Sequence, residues 1–245
     1  MFSFFKKKAT VPIDYSVLRT DMHSHLIPGI DDGSPDMATS LKLIAGLVDL
    51  GYKKIYTTPH IMWDMYPNTR EDILTRLTAL RNAVKEKGLE IEIHAAAEYF
   101  IDEHFSELLE EKKQLLTIHD SMVLVEFSLA NPPMKLKDVL FEMQLQGYQP
   151  IIAHPERYLY LEQNKGFYDE LKDYGCMFQL NMLAIGGFYG KSVQEFSQYL
   201  AKKEYYNLVG TDMHHERHLQ GLRDSKVYEG VLRVMESGII RNGYL

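Results

Sequence analysis

Short β-branched, apolar runs alternate along the chain with stretches whose apolar residues recur every three to four positions. The first run covers 19–25. A loop over 27–33 leads to a helix with Ser34 as N-cap, Pro35 at its first position and Asp36 behind it. Met37, Leu41, Ile44, Ala45 and Val48 give that helix one apolar face, and Gly51 ends it. A second strand is predicted over 54–60. Thr69 with Asp72 opens a helix to about residue 87, where Gly88 stops it. The third strand spans 90–99, with a helix near 103–113. The fourth strand spans 121–127, and Asn131-Pro-Pro133 breaks the chain before a helix to about residue 146. The fifth strand spans 149–154, followed by a helix over 164–174. The sixth spans 177–183, followed by a glycine-rich loop at 186–190 and a helix over 193–202. The seventh spans 206–212, and a last helix covers 225–237.

These are seven β/α units with connections too short for a second domain. They predict a single domain over 1–245, with 1–18 as an N-terminal extension. Alternating β and α implies a parallel sheet covered by helices. The polar residues at the strand exits choose between an open sheet and a closed one. His23 and His25 are one residue apart, so in an extended segment both imidazoles leave on the same side. Later runs end in His60, Glu98, Glu126, His154, and Asp212 with His214. In a closed barrel the C-terminal strand ends converge on one mouth; along an open edge they would spread. Convergence of so many ligand-type residues predicts a barrel.

Composition narrows the setting. With 45% hydrophobic residues in 245, the chain can build a substantial core without cross-links. The net charge of −7 and the lack of a basic stripe exclude non-specific nucleic-acid binding. The single cysteine, Cys176, allows no internal disulfide and fits a reducing, cytoplasmic compartment. Phe2, Phe4 and Phe5 precede Lys6, Lys7 and Lys8, an order unlike a signal peptide, and no stretch approaches the roughly 20 apolar residues of a membrane helix. This tail is expected to be a frayed end or a small packed strand.

Imidazole and carboxylate donors together suit Zn, Fe or Mn, and the lack of thiolates excludes cysteine-type structural zinc. The set is too large for one ion and sufficient for two or three. Asp32, in the first loop, can join it. Cations about 3.5–4 Å apart hold the attacking and leaving oxygens of a phosphoryl transfer and acidify water. Arg157, three residues past His154, is placed to fork onto phosphate oxygens, and Arg217 beyond His214 is a candidate for the same role. Asp32 or His215 could assist the leaving group. Glu98 and Glu126 end apolar runs, where an unpaired carboxylate is costly. Cys176 fits no cysteine-phosphatase loop, since position 182 is Met182 rather than arginine. His94, His104 and His119 match no motif and are expected to be structural or solvated, and the glycines at 186, 187 and 190 are expected to form a turn.

His23-Ser-His25 with Asp31-Asp-Gly33, Thr58-Pro-His60, Glu98-Tyr-Phe100, His154-Pro-Glu-Arg157 and Asp212-Met-His214 occur in an order that resembles the PHP (polymerase and histidinol phosphatase) family. More closely, the chain resembles bacterial manganese-dependent tyrosine phosphatases of capsular and exopolysaccharide synthesis, from about Thr20 to about His218. The resemblance implies a distorted (β/α)7 TIM-like barrel with a trinuclear centre at the strand C-termini. It implies Mn2+, with Fe or Zn as alternatives, and hydrolysis of phosphotyrosine by a metal-activated hydroxide without a covalent intermediate. The implied partner is an autophosphorylating tyrosine kinase that controls polymer export. Residue by residue, it points to His23, His25, His60, Glu98, Glu126, His154, Asp212 and His214 as ligands, Asp32 as a ligand or the acid, and Arg157 as the phosphate-binding arginine. The family often carries a second arginine past the last motif; Arg217 stands at a different spacing. The alternatives are the same chemistry on a small phosphomonoester such as histidinol phosphate, and a regulatory module that keeps metals without turnover.

Overall fold

The computed structural model describes residues 12–245, so the tail at 1–8, expected to be a frayed end or a small packed strand, lies outside the described residues. The strands are β1 Thr20–Asp21, β2 Lys54–Thr57, β3 His60–Ile61, β4 Glu92–Ala95, β5 Glu98–Phe100, β6 Met122–Glu126, β7 Gln149–Ala153, β8 Met177–Asn181 and β9 Tyr206–Gly210. The helices are α1 Met37–Asp49, α2 Arg70–Glu86, α3 Glu103–Glu110, α4 Leu136–Leu145, α5 Gly166–Asp173, α6 Met182–Ile185, α7 Lys191–Lys202, α8 Glu216–Leu222 and α9 Ser225–Met235. Every strand pair is parallel, in the orders β1-β2-β4 and β3-β5-β6-β7-β8-β9.

Two expected strands are each broken in two. Pro59 has no N–H to give a ladder, so 54–60 divides into β2 and β3. Its neighbour breaks beside it into β4 and β5. The pair stays joined across the kink, because Ala96 N–H donates to Thr57 O and Glu98 N–H to Pro59 O. Counting each broken strand once restores the seven units. The barrel closes where the first segment meets the last. Asp212 N–H donates to His23 O at 2.8 Å, and His25 N–H donates to Met213 O at 2.9 Å.

Alternation along the strands fills both sides of the wall. Leu124, Ile151, Ala153 and Leu208 pack with Met22 and Tyr56 in one cluster; Val123, Val125, Ile152 and Val209 belong to the larger cluster shared with the helices. Each fully buried Leu or Ile contributes about 1.5–3 kcal/mol.

Other boundaries differ from expectation for local reasons. The cap of α1 is Asp36 rather than Ser34: the Asp36 carboxylate accepts the Thr39 N–H at 2.8 Å, while Ser34 turns back to donate its N–H to His25 O. The sixth strand stops at Asn181, whose side chain accepts the Leu183 N–H and starts α6. Helix α8 has only His218 and Leu222 buried, too short an apolar pattern to be seen among the polar residues around it. No helix among the described residues is long and apolar enough to cross a membrane.

Candidate metal centre

His23 and His25 leave their segment on one side, as alternation requires, with Nε2 atoms 3.2 Å apart and both residues buried. Glu98, the first residue of β5, stands between them and the other histidines. Its Oε2 lies 3.2 Å from His23 Nε2, 3.3 Å from His25 Nε2 and 3.3 Å from His60 Nδ1. Its Oε1 lies 3.0 Å from His154 Nε2. Glu126, at the end of β6, brings Oε1 to 2.9 Å from His60 Nδ1. Asp212, two residues past β9, places Oδ1 3.3 Å from His23 Nε2 and 3.4 Å from His214 Nδ1. Asp32 completes the outer edge, with Oδ1 3.4 Å from His60 Nε2 and 3.5 Å from His214 Nε2. All eight residues named as ligands from the sequence, and Asp32, therefore meet at one mouth.

The backbone is bent to bring two of them there. His154 has φ 31° and Asp212 has φ 50°, left-handed conformations at the exits of β7 and β9. Such conformations cost on the order of 1–3 kcal/mol in a non-glycine residue and cluster at functional sites. Gly210 allows the close approach of β9 to the first segment, since a Cβ there would stand 2.6 Å from His23 Cβ.

Side chains behind the cluster fix the imidazoles. Gln179 Oε1 is 2.9 Å from His23 Nδ1 and accepts the His154 N–H at 3.2 Å. Asp31 Oδ2 is 2.8 Å from His25 Nδ1 and accepts the His60 N–H. Both contacts hold the hydrogen on Nδ1 and aim the Nε2 lone pair inward. Asn181 Nδ2 donates to Asp212 Oδ2 at 2.8 Å, and His218 Nδ1 lies 3.0 Å from Asp212 O.

The donors fit divalent cations. His60 Nδ1 and His154 Nδ1 are buried without a hydrogen-bond partner, although Glu126 Oε1 comes within 2.9 Å of the former. His60 Nδ1, a buried nitrogen without a hydrogen-bond partner that faces both the Glu98 and the Glu126 carboxylates, is what a missing positive charge leaves behind. The ligand atoms fall into overlapping groups, among them His25, Asp32, His60 and His214; His23, His154 and Asp212; and His60, Glu98 and Glu126. Within each group the atoms lie within 4.8 Å of one another. Burial works against the Glu98 charge, yet His23, His60 and His154 hold its carboxyl well below the usual range. His214 and His60 beside it likewise hold the Asp32 carboxyl below its usual range.

The cluster floors a cavity of about 480 Å³ whose wall includes Arg157 and Tyr189. Arg157 follows His154 in a 3-10 turn, with Nη1 3.4 Å from Asp212 Oδ2 and its guanidinium carbon 5.1 Å from the centre of the Tyr189 ring. Arg217 is exposed on α8 and does not line the cavity. His215 and His218 both line it; His94 and His119 do not. Cys176 is buried away from it, with its thiol pushed up to about 12 by burial. Sequence reasoning missed Asp31, Gln179, Asn181 and Tyr189 as parts of the site. The alternation of β8 could have found Gln179, a polar residue on a strand otherwise apolar up to Asn181.

The model of the family described as capsular polysaccharide synthesis, CpsB/CapC, matches residues 19–229. The chain is 31% identical over 200 residues to the tyrosine-protein phosphatase CpsB of Streptococcus pneumoniae, covering 79% of this chain and 82% of that one. It is 28% identical over 197 residues to the tyrosine-protein phosphatase YwqE of Bacillus subtilis, covering 79% and 76%. The fold superposes with TM-score 0.80 and 25% identity on a crystal structure described as YwqE from B. subtilis and CpsB from S. pneumoniae, metal-dependent tyrosine phosphatases, over 92% of this chain and 90% of that one. A zinc-containing histidinol phosphate phosphatase of Lactococcus lactis shares the barrel with TM-score 0.58 at 15% identity, over 91% and 94%. The chain belongs to the CpsB/CapC family of capsular polysaccharide synthesis.

Proposed function

We propose that this chain is a metal-dependent tyrosine-protein phosphatase whose site binds two or three divalent cations, Mn2+ as the family resemblance implies. Its substrate in this reading is phosphotyrosine on an autophosphorylating tyrosine kinase of polysaccharide synthesis, in the cytoplasm, and one barrel domain carries the activity. The observation that carries the reading is Glu98, with four imidazoles within 3.3 Å, on the floor of a cavity that Arg157 overlooks.

Bound cations supply charge that neutralises the phosphate and lowers the pKa of water. The chain's own groups do the rest. His23, His25, His60, His154 and His214, with Glu98, Glu126, Asp212 and Asp32, form the cation cradle. Asp32, at the outer edge beside His60 and His214, is a further ligand or the acid for the leaving group. The Arg157 guanidinium forks onto two phosphate oxygens, and Asp212 and the Tyr189 ring orient it. Tyr66, whose ring stacks on His60 at 5.5 Å, forms with Met62 and Leu129 an apolar collar for the substrate's aromatic ring. Arg217 has no part in this mechanism.

Protein rather than a small ester is favoured by the rim. Met65 and Leu129 line the cavity while 60% and 47% exposed, so among the described residues the mouth opens to solvent without a lid. Steady-state turnover of a phosphotyrosine peptide and of histidinol phosphate by the Mn2+-loaded protein tests the reading. The peptide is expected to have the higher kcat/KM; a preference for histidinol phosphate would move the chain to the small-ester class.

A further inference from the structure

A second cavity, of about 400 Å³, lies behind the catalytic one, on the other face of the same two strands. His60 and Glu98 face the metal cluster; their neighbours Ile61 and Tyr99, paired across β3 and β5, face the second cavity. A small hairpin separates the two openings. Met62 and Tyr66 pair in both directions, at 3.1 and 2.7 Å, and the Asp102 carboxylate accepts the Trp63 N–H. This hairpin turns Met62, Met65 and Tyr66 toward the catalytic cavity and Trp63 toward the second.

The second cavity combines an apolar floor with a cationic wall. Ile61, Tyr99, Leu108 and Leu115 line the floor, and Trp63 stacks on His104 at 4.2 Å along one side. Arg70 and Lys113 line it as well. The Arg70 guanidinium has no strong partner among the described residues: Nη1 approaches Glu71 Oε1 only at 3.8 Å, and Nε is buried with no acceptor. Glu71, 77% exposed, also lines the cavity beside Arg70, and Glu111, 63% exposed, lies 3.3 Å from Lys113 Nζ. In a chain of net charge −7, a cavity lined by two cations against one exposed carboxylate, over apolar side chains, is a local exception.

We propose that this cavity is an exosite for an acidic residue of the substrate polypeptide, flanking the phosphotyrosine. The methylene stem of a Glu lies on the floor, and its carboxylate meets Arg70 and Lys113. The exosite rests on the phosphatase reading above and names the peptide class that the site prefers. Hairpin 62–66 then divides one bound segment between two cavities, and neither Arg70 nor Lys113 touches the reacting phosphate.

The test compares three substrates of the Mn2+-loaded protein: a phosphotyrosine peptide series with Glu scanned along both flanks, the same peptide with Ala flanks, and p-nitrophenyl phosphate. The unaltered chain is expected to favour one Glu position about twofold to fivefold through KM, the range of an exposed charge pair. R70Q/K113Q abolishes that preference and leaves the Ala peptide and p-nitrophenyl phosphate unchanged; R70E/K113E shifts it to Lys. A second readout needs no turnover. Trp63 is the only tryptophan, so a phosphate-free Glu peptide in excess changes its fluorescence in the unaltered chain but not in R70Q/K113Q. Equal kcat/KM for Glu and Ala peptides, or a preference that survives R70Q/K113Q, overturns the exosite while phosphatase activity stands. Failure to hydrolyse any of the three substrates overturns the phosphatase reading, and the exosite with it.

Discussion

Gln179 Oε1 lies 2.9 Å from His23 Nδ1, and the same oxygen accepts the His154 backbone N–H at 3.2 Å. One amide thus ties together ligand-bearing segments from the first and fifth strands and sets the His23 tautomer. Gln179→Leu keeps the volume and removes the acceptor. The variant is expected to fold and to lose about 10–100-fold in metal affinity, the effect of removing a group that orients a metal-binding histidine. Mn2+ titration of the metal-free variant checks this; unchanged affinity would remove the orienting role.

Arg157 stands on the cavity wall between Asp212 and Tyr189. Arg157→Ala is expected to lower kcat/KM on a phosphotyrosine peptide by about 10²-fold or more, as for loss of a donor aimed at transition-state charge. Arg157→Lys restores the charge without the fork and recovers only part of the rate. Steady-state kinetics at saturating Mn2+ decides it, and a full-rate alanine variant would rule out phosphate binding by this residue.

Cys176 is buried, and burial pushes its thiol up to about 12, so it is not a thiolate at neutral pH. Iodoacetamide is expected to leave turnover intact, and Cys176→Ser to retain activity within about twofold, since the side chain lies outside the site. Stoichiometric inactivation by alkylation would restore a cysteine mechanism.

Glu156 separates His154 from Arg157 but faces away from the cavity. Its carboxyl accepts the Asn181 N–H at 2.8 Å and the Tyr206 O–H at 3.0 Å, and burial raises it from 4.5 to about 7. Between these values the folded chain holds a proton that the unfolded chain has released. Stability contributed at this position therefore falls as pH rises from about 4.5 to about 7. Glu156→Gln keeps an acceptor for Asn181 and removes the titration. Relative to the unaltered chain, its stability is expected to improve from pH 5 to pH 8, by at most about 3 kcal/mol. Urea unfolding of both metal-free proteins at the two pH values measures the difference; parallel pH dependence would contradict it.

The ligands were legible in the sequence because each stands at or near the end of an apolar run, and the runs of a closed parallel sheet end at one mouth. The seven-unit order and most helix limits were legible through periodicity, Gly51 and Gly88, and the Thr69 cap. What supports the ligands was not. Gln179 and Asn181 act across the barrel on His23 and Asp212, 156 and 31 residues away in sequence, and no local pattern encodes such pairings. Asp31 and Asp32 are adjacent and chemically alike; only the loop geometry sends one behind His25 and the other to the cavity edge. Arg217 follows the last motif, but α8 directs it to solvent. The break at Pro59 follows from its missing N–H, but the matching break at Ala96 and Ala97 came from pairing with that neighbour, which a strand read alone does not reveal.

The most direct test of the central claim is metal content per chain, measured alongside phosphotyrosine-peptide turnover, before and after exhaustive chelation. About two to three divalent ions per chain are expected, with turnover lost on chelation and restored by Mn2+, and with Glu98→Gln deficient in both. Undiminished turnover by protein holding less than about one ion per chain would contradict the account.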